Sequence, residues 1–136
     1  MVINQIQLAN FRNYEKQCLN LKQGINVFYG DNAQGKTNLL EAIFVCAIGK
    51  SFRTNKEKEM IGFKGEKANL QVLFEKKDRC GKVSLELGEK KRFLMNDIPL
   101  KKTSQLLGNI FVVLFTPDDI AILKEGPVGR RKFLDI

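Results

Sequence analysis

The sequence predicts an α/β fold in which a mixed sheet surrounds a phosphate-binding loop. Three observations predict it. Residues 24–29, Gly24-Ile25-Asn26-Val27-Phe28-Tyr29, form a short, largely apolar run of the kind found in buried strands. Directly after it, Gly30-Asp31-Asn32-Ala33-Gln34-Gly35-Lys36-Thr37 has the form G-x-x-x-x-G-K-[ST]. Behind the motif, residues 38–48 read as a helix that is apolar on nearly every side, with Glu41 its only charge and Gly49 as its C-cap. Strand, loop and buried helix are the setting in which this motif works as the Walker A loop of a P-loop NTPase.

Each part of the motif has a physical task. Gly30 and Gly35 let the backbone wrap a phosphate chain without Cβ clashes. The N–H groups of residues 30–37 form an anion-binding nest. Lys36 brings a positive charge to the β/γ-phosphates, and the Thr37 hydroxyl suits Mg²⁺. The following helix adds the positive end of its dipole. The alternative is a glycine-rich turn that happens to carry a lysine.

Taken in order, residues 1–9 alternate Val2, Ile6 and Leu8 against Gln5 and Gln7, which predicts an edge-type strand. A polar-aromatic turn with Phe11, Arg12, Asn13 and Tyr14 follows, and then a second strand with Leu19 and Leu21. The third strand is 24–29, which enters the motif. After the helix, residues 49–55 form a loop carrying Lys50 and Arg53, and a short charged helix is expected over 56–61. Two alternating strands come next, one with Leu70, Val72 and Phe74, the other with Val83, Leu85 and Leu87. Asp78-Arg79-Cys80-Gly81 is the expected turn between them, with a third strand at 92–95 turning at Asn96-Asp97.

A short helix is expected over 101–107, ending at Gly108. Ile110-Phe111-Val112-Val113-Leu114-Phe115 then has the continuous apolar character of a strand buried on both faces. Thr116, Pro117, Asp118 and Asp119 suit the N-cap and first turn of a short helix over 117–124. A second helix starts at Pro127 and contains Arg130, Arg131 and Lys132, with no stop signal before Ile136. The expected organisation is therefore an ATPase lobe over 1–136, cut from a longer protein. It divides into a Walker core at 1–61, an antiparallel β segment at 62–100, and a buried strand leading to a helical lobe at 109–136.

Composition narrows the function. The chain has 136 residues, 43 % hydrophobic and 28 % charged, which suits one globular domain. It lacks both a long apolar run and the basic and apolar regions of a signal peptide, so a cytoplasmic location without membrane contact is expected. Cys18, Cys46 and Cys80 are far apart and fit neither a zinc nor a disulfide pattern; Cys46 reads as core packing. With no histidine, Ser-His-Asp and Cys-His nucleophile systems are excluded within the chain. The net charge is +8, and residues 50–102 hold fifteen Lys/Arg against eight Asp/Glu, which is +7 of it. Such an excess suits a polyanion, nucleic acid first, or else a solvated lysine-rich surface.

Several stretches together resemble the RecF family of bacterial recombination mediators. They are 8–14 (L-x-N-F-R-N-Y), 30–43 (G-D-N-A-Q-G-K-T-N-L-L-E-A-I), 49–54 (G-K-S-F-R-T), 114–120 (L-F-T-P-D-D-I) and 126–135 (G-P-V-G-R-R-K-F-L-D). That family belongs to the ATP-binding-cassette group of repair and chromosome ATPases. The resemblance implies an ABC-ATPase-type first lobe with an antiparallel β subdomain, ATP and Mg²⁺ as cofactors, and DNA as a partner, at gaps or single-/double-strand junctions. It implies an ATP-dependent homodimer with weak DNA-dependent ATPase activity, and work with RecO and RecR to load recombinase at single-strand gaps. Walker B and the signature motif would lie beyond residue 136, so this chain alone is expected to hydrolyse ATP negligibly.

Residue by residue, the resemblance makes Gly30, Asp31, Asn32, Ala33, Gln34, Gly35, Lys36, Thr37 and Asn38 nucleotide-binding, with Thr37 on Mg²⁺. Arg12 and Asn13 match a turn that approaches the nucleotide in related ATPases. Arg53 matches an arginine placed near nucleotide and DNA. Residues 116–119 stand where a glutamine usually meets Mg²⁺ and the attacking water; no glutamine is present, leaving Asp118 or Asp119 to hold metal-bound water or simply to cap a helix. The plainer alternatives are a surface arginine beside two aromatics for Arg12, neutralisation of a helix C-terminus for Arg53, and a solvated face for 130–132. A helix of this length is roughly 18–20 Å long, so Arg53 reaches the phosphates only if its loop folds back along it.

Two other functions are open to the sequence. A small P-loop GTPase or nucleotide kinase would need N-K-x-D or an arginine-rich lid. Asn55-Lys56-Glu57-Lys58 lacks the aspartate, and Asp78-Arg79-Cys80-Gly81 does not end an apolar strand. A DNA-binding module clamped by ATP that is never hydrolysed is the other.

Overall fold

β-Branched and aliphatic residues at every second position build the sheet. The computed structural model describes residues 1–77, 79–117 and 119. Six strands, β1 (Val2–Phe11), β2 (Tyr14–Asn20), β3 (Ala68–Lys76), β4 (Arg79–Leu87), β5 (Arg92–Met95) and β6 (Ile98–Pro99), form one sheet in the order β2-β1-β3-β4-β5-β6. Every pairing among them is antiparallel. The register sets Ile6 beside both Leu19 and Val72, and Leu70 beside Leu85, so one face is continuously apolar.

On that face lies α1 (Lys36–Ile48). Its Leu39, Ala42, Val45 and Cys46 are buried with Ile6, Leu8, Phe11, Leu70, Val72 and Leu85. Burying each large aliphatic side chain contributes about 1.5–3 kcal/mol, so this layer of helix on sheet dominates the stability of the described chain. Burial also pushes the Cys46 thiol up to about 12, so it packs as a small apolar group, as expected. Gly49 ends α1 in the left-handed region (φ 86°), and its N–H donates to the Val45 carbonyl, as a glycine C-cap should.

Several expectations change. β1 is not an edge strand: it lies between β2 and β3, so residues 1–61 and 62–100 share one sheet. Alternation reports which face is covered and carries no information about how many edges are paired. The β3–β4 turn sits earlier than expected, since Lys76 pairs with Arg79 and Gly81 already belongs to β4. Gly81 is there for space, because a Cβ on it would lie 2.4 Å from the Phe74 ring. The two expected short helices are 3-10 turns, Glu57–Met60 and Thr103–Leu106. The turn at Asn96-Asp97 holds, with φ of 49° and 67°, the positive pair a two-residue hairpin requires.

The two runs read as buried strands are the largest departure. Neither 24–29 nor 110–115 pairs into a ladder among the described residues. Tyr29 is 92 % exposed and Val113 99 %. In the second run Ile110 is buried and Val112 and Leu114 half-buried, while Phe111, Val113 and Phe115 face outward. One face is therefore covered, not two. A strand covered on both faces needs neighbours at both edges, and the described sheet offers these runs none. The expected helix at 117–124 falls mostly outside the described residues, and 126–136, with Arg130, Arg131 and Lys132, wholly so.

Candidate nucleotide-binding site

Residues 31–35 form turns and bends, neither helix nor strand, and lead into α1. The path needs left-handed backbone at Gly30 (φ 144°), Ala33 (φ 66°) and Gly35 (φ 103°). Gly35 is the N-cap of α1, and a Cβ there would lie 2.8 Å from Asn13 Oδ1 and 3.1 Å from the Tyr14 ring. The Tyr14 hydroxyl donates to the Gly35 carbonyl at 3.2 Å, and burial raises the Tyr14 pKa, which keeps that proton in place. The turn between β1 and β2 thus supports the loop from behind.

Lys36 folds back over the loop, its Nζ donating to the Gly30 carbonyl at 2.7 Å and the Asp31 carbonyl at 2.6 Å. The first turn of α1 carries no acidic residue and no side-chain cap. A helix start with open N–H groups and an ammonium beside it is an anion site.

Thr37 lines an open cleft of about 920 Å³ with Arg53, Thr116 and Asp119, and with Phe44 and Phe52 on its apolar wall. Those two rings meet edge to face, 5.4 Å between centroids. The cleft brings together three parts singled out in the sequence: the residue ending the motif, the loop after the helix, and the 116–119 turn. Asp119 Oδ2 accepts from both the Thr116 N–H (2.6 Å) and its hydroxyl (2.8 Å), so the capping reading of Asp119 has direct support. Asp118 lies outside the described residues. Thr37 is exposed at the cleft, and its hydroxyl is a hard oxygen donor of the kind Mg²⁺ takes, so this one donor fits that ion, which draws its remaining oxygens from phosphate and water.

The loop after α1 does fold back. Arg53 donates from one guanidinium nitrogen to Asn38 Oδ1 (2.5 Å) and to Glu41 Oε2 (3.3 Å), both in the N-terminal half of α1. It therefore does not serve the helix C-terminus. Lys91 does, donating to the Gly49 carbonyl at 2.8 Å and pairing with Glu57 at 3.0 Å. Asn38 Nδ2 in turn donates to Asn13 Oδ1 at 2.8 Å, so Asn13, Asn38 and Arg53 form one chain.

Arg12 is not a surface arginine beside aromatics. Its Nε and one terminal nitrogen make a two-pronged contact with Glu41 at 2.9 and 2.6 Å, and the other terminal nitrogen donates to the Glu59 carbonyl at 2.6 Å. Arg12 itself has φ 53°, and its N–H donates to the Met60 carbonyl. The residue that sequence reasoning passed over is Glu41, fully buried and bonded by Arg12, Arg53 and the Ser51 hydroxyl. The signal was present: a lone acid on an apolar helix must find a cation when buried.

The expected basic surface is partly dissolved by pairing. Lys91 turns inward, Lys82 pairs with Asp97 at 2.7 Å, and Lys76 donates to the Gly108 carbonyl while lying over the Phe111 ring. Lys90 and Arg92 remain exposed. Replacing Lys91 with alanine should lower stability by about 1 kcal/mol, because the last turn of α1 loses its cation. Chemical denaturation reads this, and an unchanged midpoint would assign Lys91 to the solvated surface.

The AAA domain family matches residues 5–120. The chain belongs to the AAA domain family. Within it, this AAA domain is similar along its whole length to RecF proteins. It is 50 % identical over 138 residues to the DNA replication and repair protein RecF of Clostridium novyi (strain NT), and 44 % identical over 138 residues to that of Acetivibrio thermocellus. The chain spans 38 % and 37 % of the length of those two relatives. Among solved structures, the recombination mediator protein RecF with ATP in the RecFOR pathway aligns with 98 % of this chain and 38 % of its own, at TM-score 0.85 and 40 % identity. RecF with ATPrS aligns with 98 % and 37 %, at TM-score 0.88 and 40 % identity. The SMC head domain from Thermotoga maritima, at 17 % identity and TM-score 0.65 over 78 % of this chain and 41 % of its own, shares the fold. The P-loop ATPase class expected from the sequence is therefore the class of this AAA domain. Among the described residues, no helix is long and apolar enough to cross a membrane.

Proposed function

We propose that this AAA domain binds ATP with Mg²⁺ at residues 30–37 and serves as the nucleotide-binding part of a RecF-like DNA repair and recombination protein. The observation that carries it is the Lys36 ammonium folded over the loop at an uncapped helix start. In this reading the ammonium exchanges two backbone carbonyls for phosphate oxygens, the open N–H groups of α1 take a further oxygen, and Thr37 holds Mg²⁺. The two RecF structures described with ATP and ATPrS support ATP as the nucleotide.

The intact protein, on this reading, is cytoplasmic, dimerises when ATP is bound, and binds DNA at single-strand gaps. It works with RecO and RecR in loading recombinase and is a weak DNA-dependent ATPase. Hydrolysis by this chain alone is expected to be negligible, because positioning the water and stabilising the transferred charge take more groups than residues 30–37 supply. Sedimentation of the intact protein tests the proposal. ATP should shift it from monomer to dimer, gapped duplex should join the dimer, and excess GTP should not replace ATP. A monomer at saturating ATP would contradict it, and equal competition by GTP would favour a GTPase.

A further inference from the structure

We propose that Glu41 is a latch: it holds Arg12 permanently and Arg53 reversibly, and a nucleoside triphosphate entering residues 30–37 draws Arg53 off it. The inference rests on the reading of residues 30–37 as the ATP site. Its starting point is that one buried carboxylate serves two guanidiniums on unequal terms.

Arg12 is held on every side. Its side chain is 16 % exposed, it grips both oxygens of Glu41, and its third contact is the Glu59 carbonyl. The backbone around it is fixed as well. The Gly62 N–H donates to the Asn10 carbonyl, and a Cβ on Gly62 would lie 2.4 Å from Asn10 Oδ1. Nothing in that arrangement leaves Arg12 a second position.

Arg53 is held by Asn38, whose Oδ1 accepts from it at 2.5 Å, and only loosely by Glu41. The Arg53 side chain is 42 % exposed, and its contact with Glu41 is a single one at 3.3 Å, beyond the usual span for an N–H···O bond. It also lines the cleft with Thr37, so its guanidinium has an open path toward an anion there. The loop that carries it is anchored separately. The Ser51 hydroxyl donates to Glu41 Oε1 and accepts the N–H groups of Arg53 (2.9 Å) and Thr54 (3.2 Å). The Arg53 side chain can therefore leave the carboxylate while its backbone stays in place. Glu41 keeps Arg12 and Ser51 as partners after the exchange, so no buried charge is stranded.

Glu41 thus acts through Arg53 as a positioning residue, competing with phosphate for the guanidinium. Neutralising it should make ATP bind tighter, the reverse of what damage to a buried ion pair would do. An ion pair made through one 3.3 Å contact, with the arginine 42 % exposed, contributes little, so Glu41→Gln should tighten ATP binding about two- to fivefold. In an Arg53→Ala background the same substitution should give no gain.

A second measurement uses the unaltered intact protein. In arginine-labelled protein, ATP should move the Arg53 Nε–Hε resonance and leave that of Arg12 in place. Weaker binding in Glu41→Gln, a gain that persists without Arg53, or an Arg53 resonance unmoved by ATP would each overturn the latch. ATP binding that is absent, or indifferent to Lys36→Ala, would overturn the site assignment itself and the latch with it.

Discussion

Replacing Lys36 with alanine in the intact protein should weaken ATP binding roughly 30- to 150-fold and abolish ATP-driven dimerisation. The Lys36 amine is the cation at the mouth of the loop, 2.7 and 2.6 Å from two of its carbonyls. A charge-assisted hydrogen bond of this kind contributes about 2–3 kcal/mol, which sets the factor. The folded state should be little affected, because those carbonyls lie in an exposed loop that water can satisfy. Titration of ATP against both proteins, alongside thermal unfolding without nucleotide, separates the two effects. A large fall in unfolding temperature with ATP affinity unchanged would place Lys36 in the structure rather than the site.

The second large effect is one of stability. Arg12→Ala should cost about 3 kcal/mol, and Arg53→Ala less than about 1 kcal/mol. Both arginines reach Glu41, which is fully buried. Removing Arg12 leaves the carboxylate with one distant cation and a hydroxyl, so much of its desolvation goes uncompensated. Removing Arg53 leaves the two-pronged Arg12 contact intact. Urea denaturation of the two variants checks the contrast, and equal losses would mean that Glu41 does not distinguish its partners.

The local parts of this molecule were legible in its sequence. The loop at 30–37 and the helix behind it depend on residues a few positions apart, so glycine placement and apolar spacing fixed them, down to Gly49 as the cap. Alternation of Leu70, Val72 and Phe74 against Val83 and Leu85 likewise found β3 and β4. What escaped were properties decided at a distance. Whether β1 lies at an edge depends on β3, more than fifty residues later. Gly81 resembled a turn residue, yet it is glycine because of the Phe74 ring. The runs 24–29 and 110–115 read as doubly covered strands from their apolarity alone, and the described residues supply neither with a ladder. At the site, Arg12, Asn13, Asn38 and Arg53 were chosen by resemblance and do gather at the start of α1. Glu41, which joins two of them, stood out in the sequence only as the sole charge of its helix, because its partners come from two separate segments of the chain.

Amide hydrogen exchange of the intact protein with and without Mg²⁺ and ATP tests the central claim most directly. The account predicts that ATP slows exchange at the amides of residues 30–38, where the loop and the first turn of α1 offer N–H groups to phosphate, and that Lys36→Ala removes the protection. Unchanged exchange at 30–38 under saturating ATP, with protection appearing elsewhere in the chain, would contradict it.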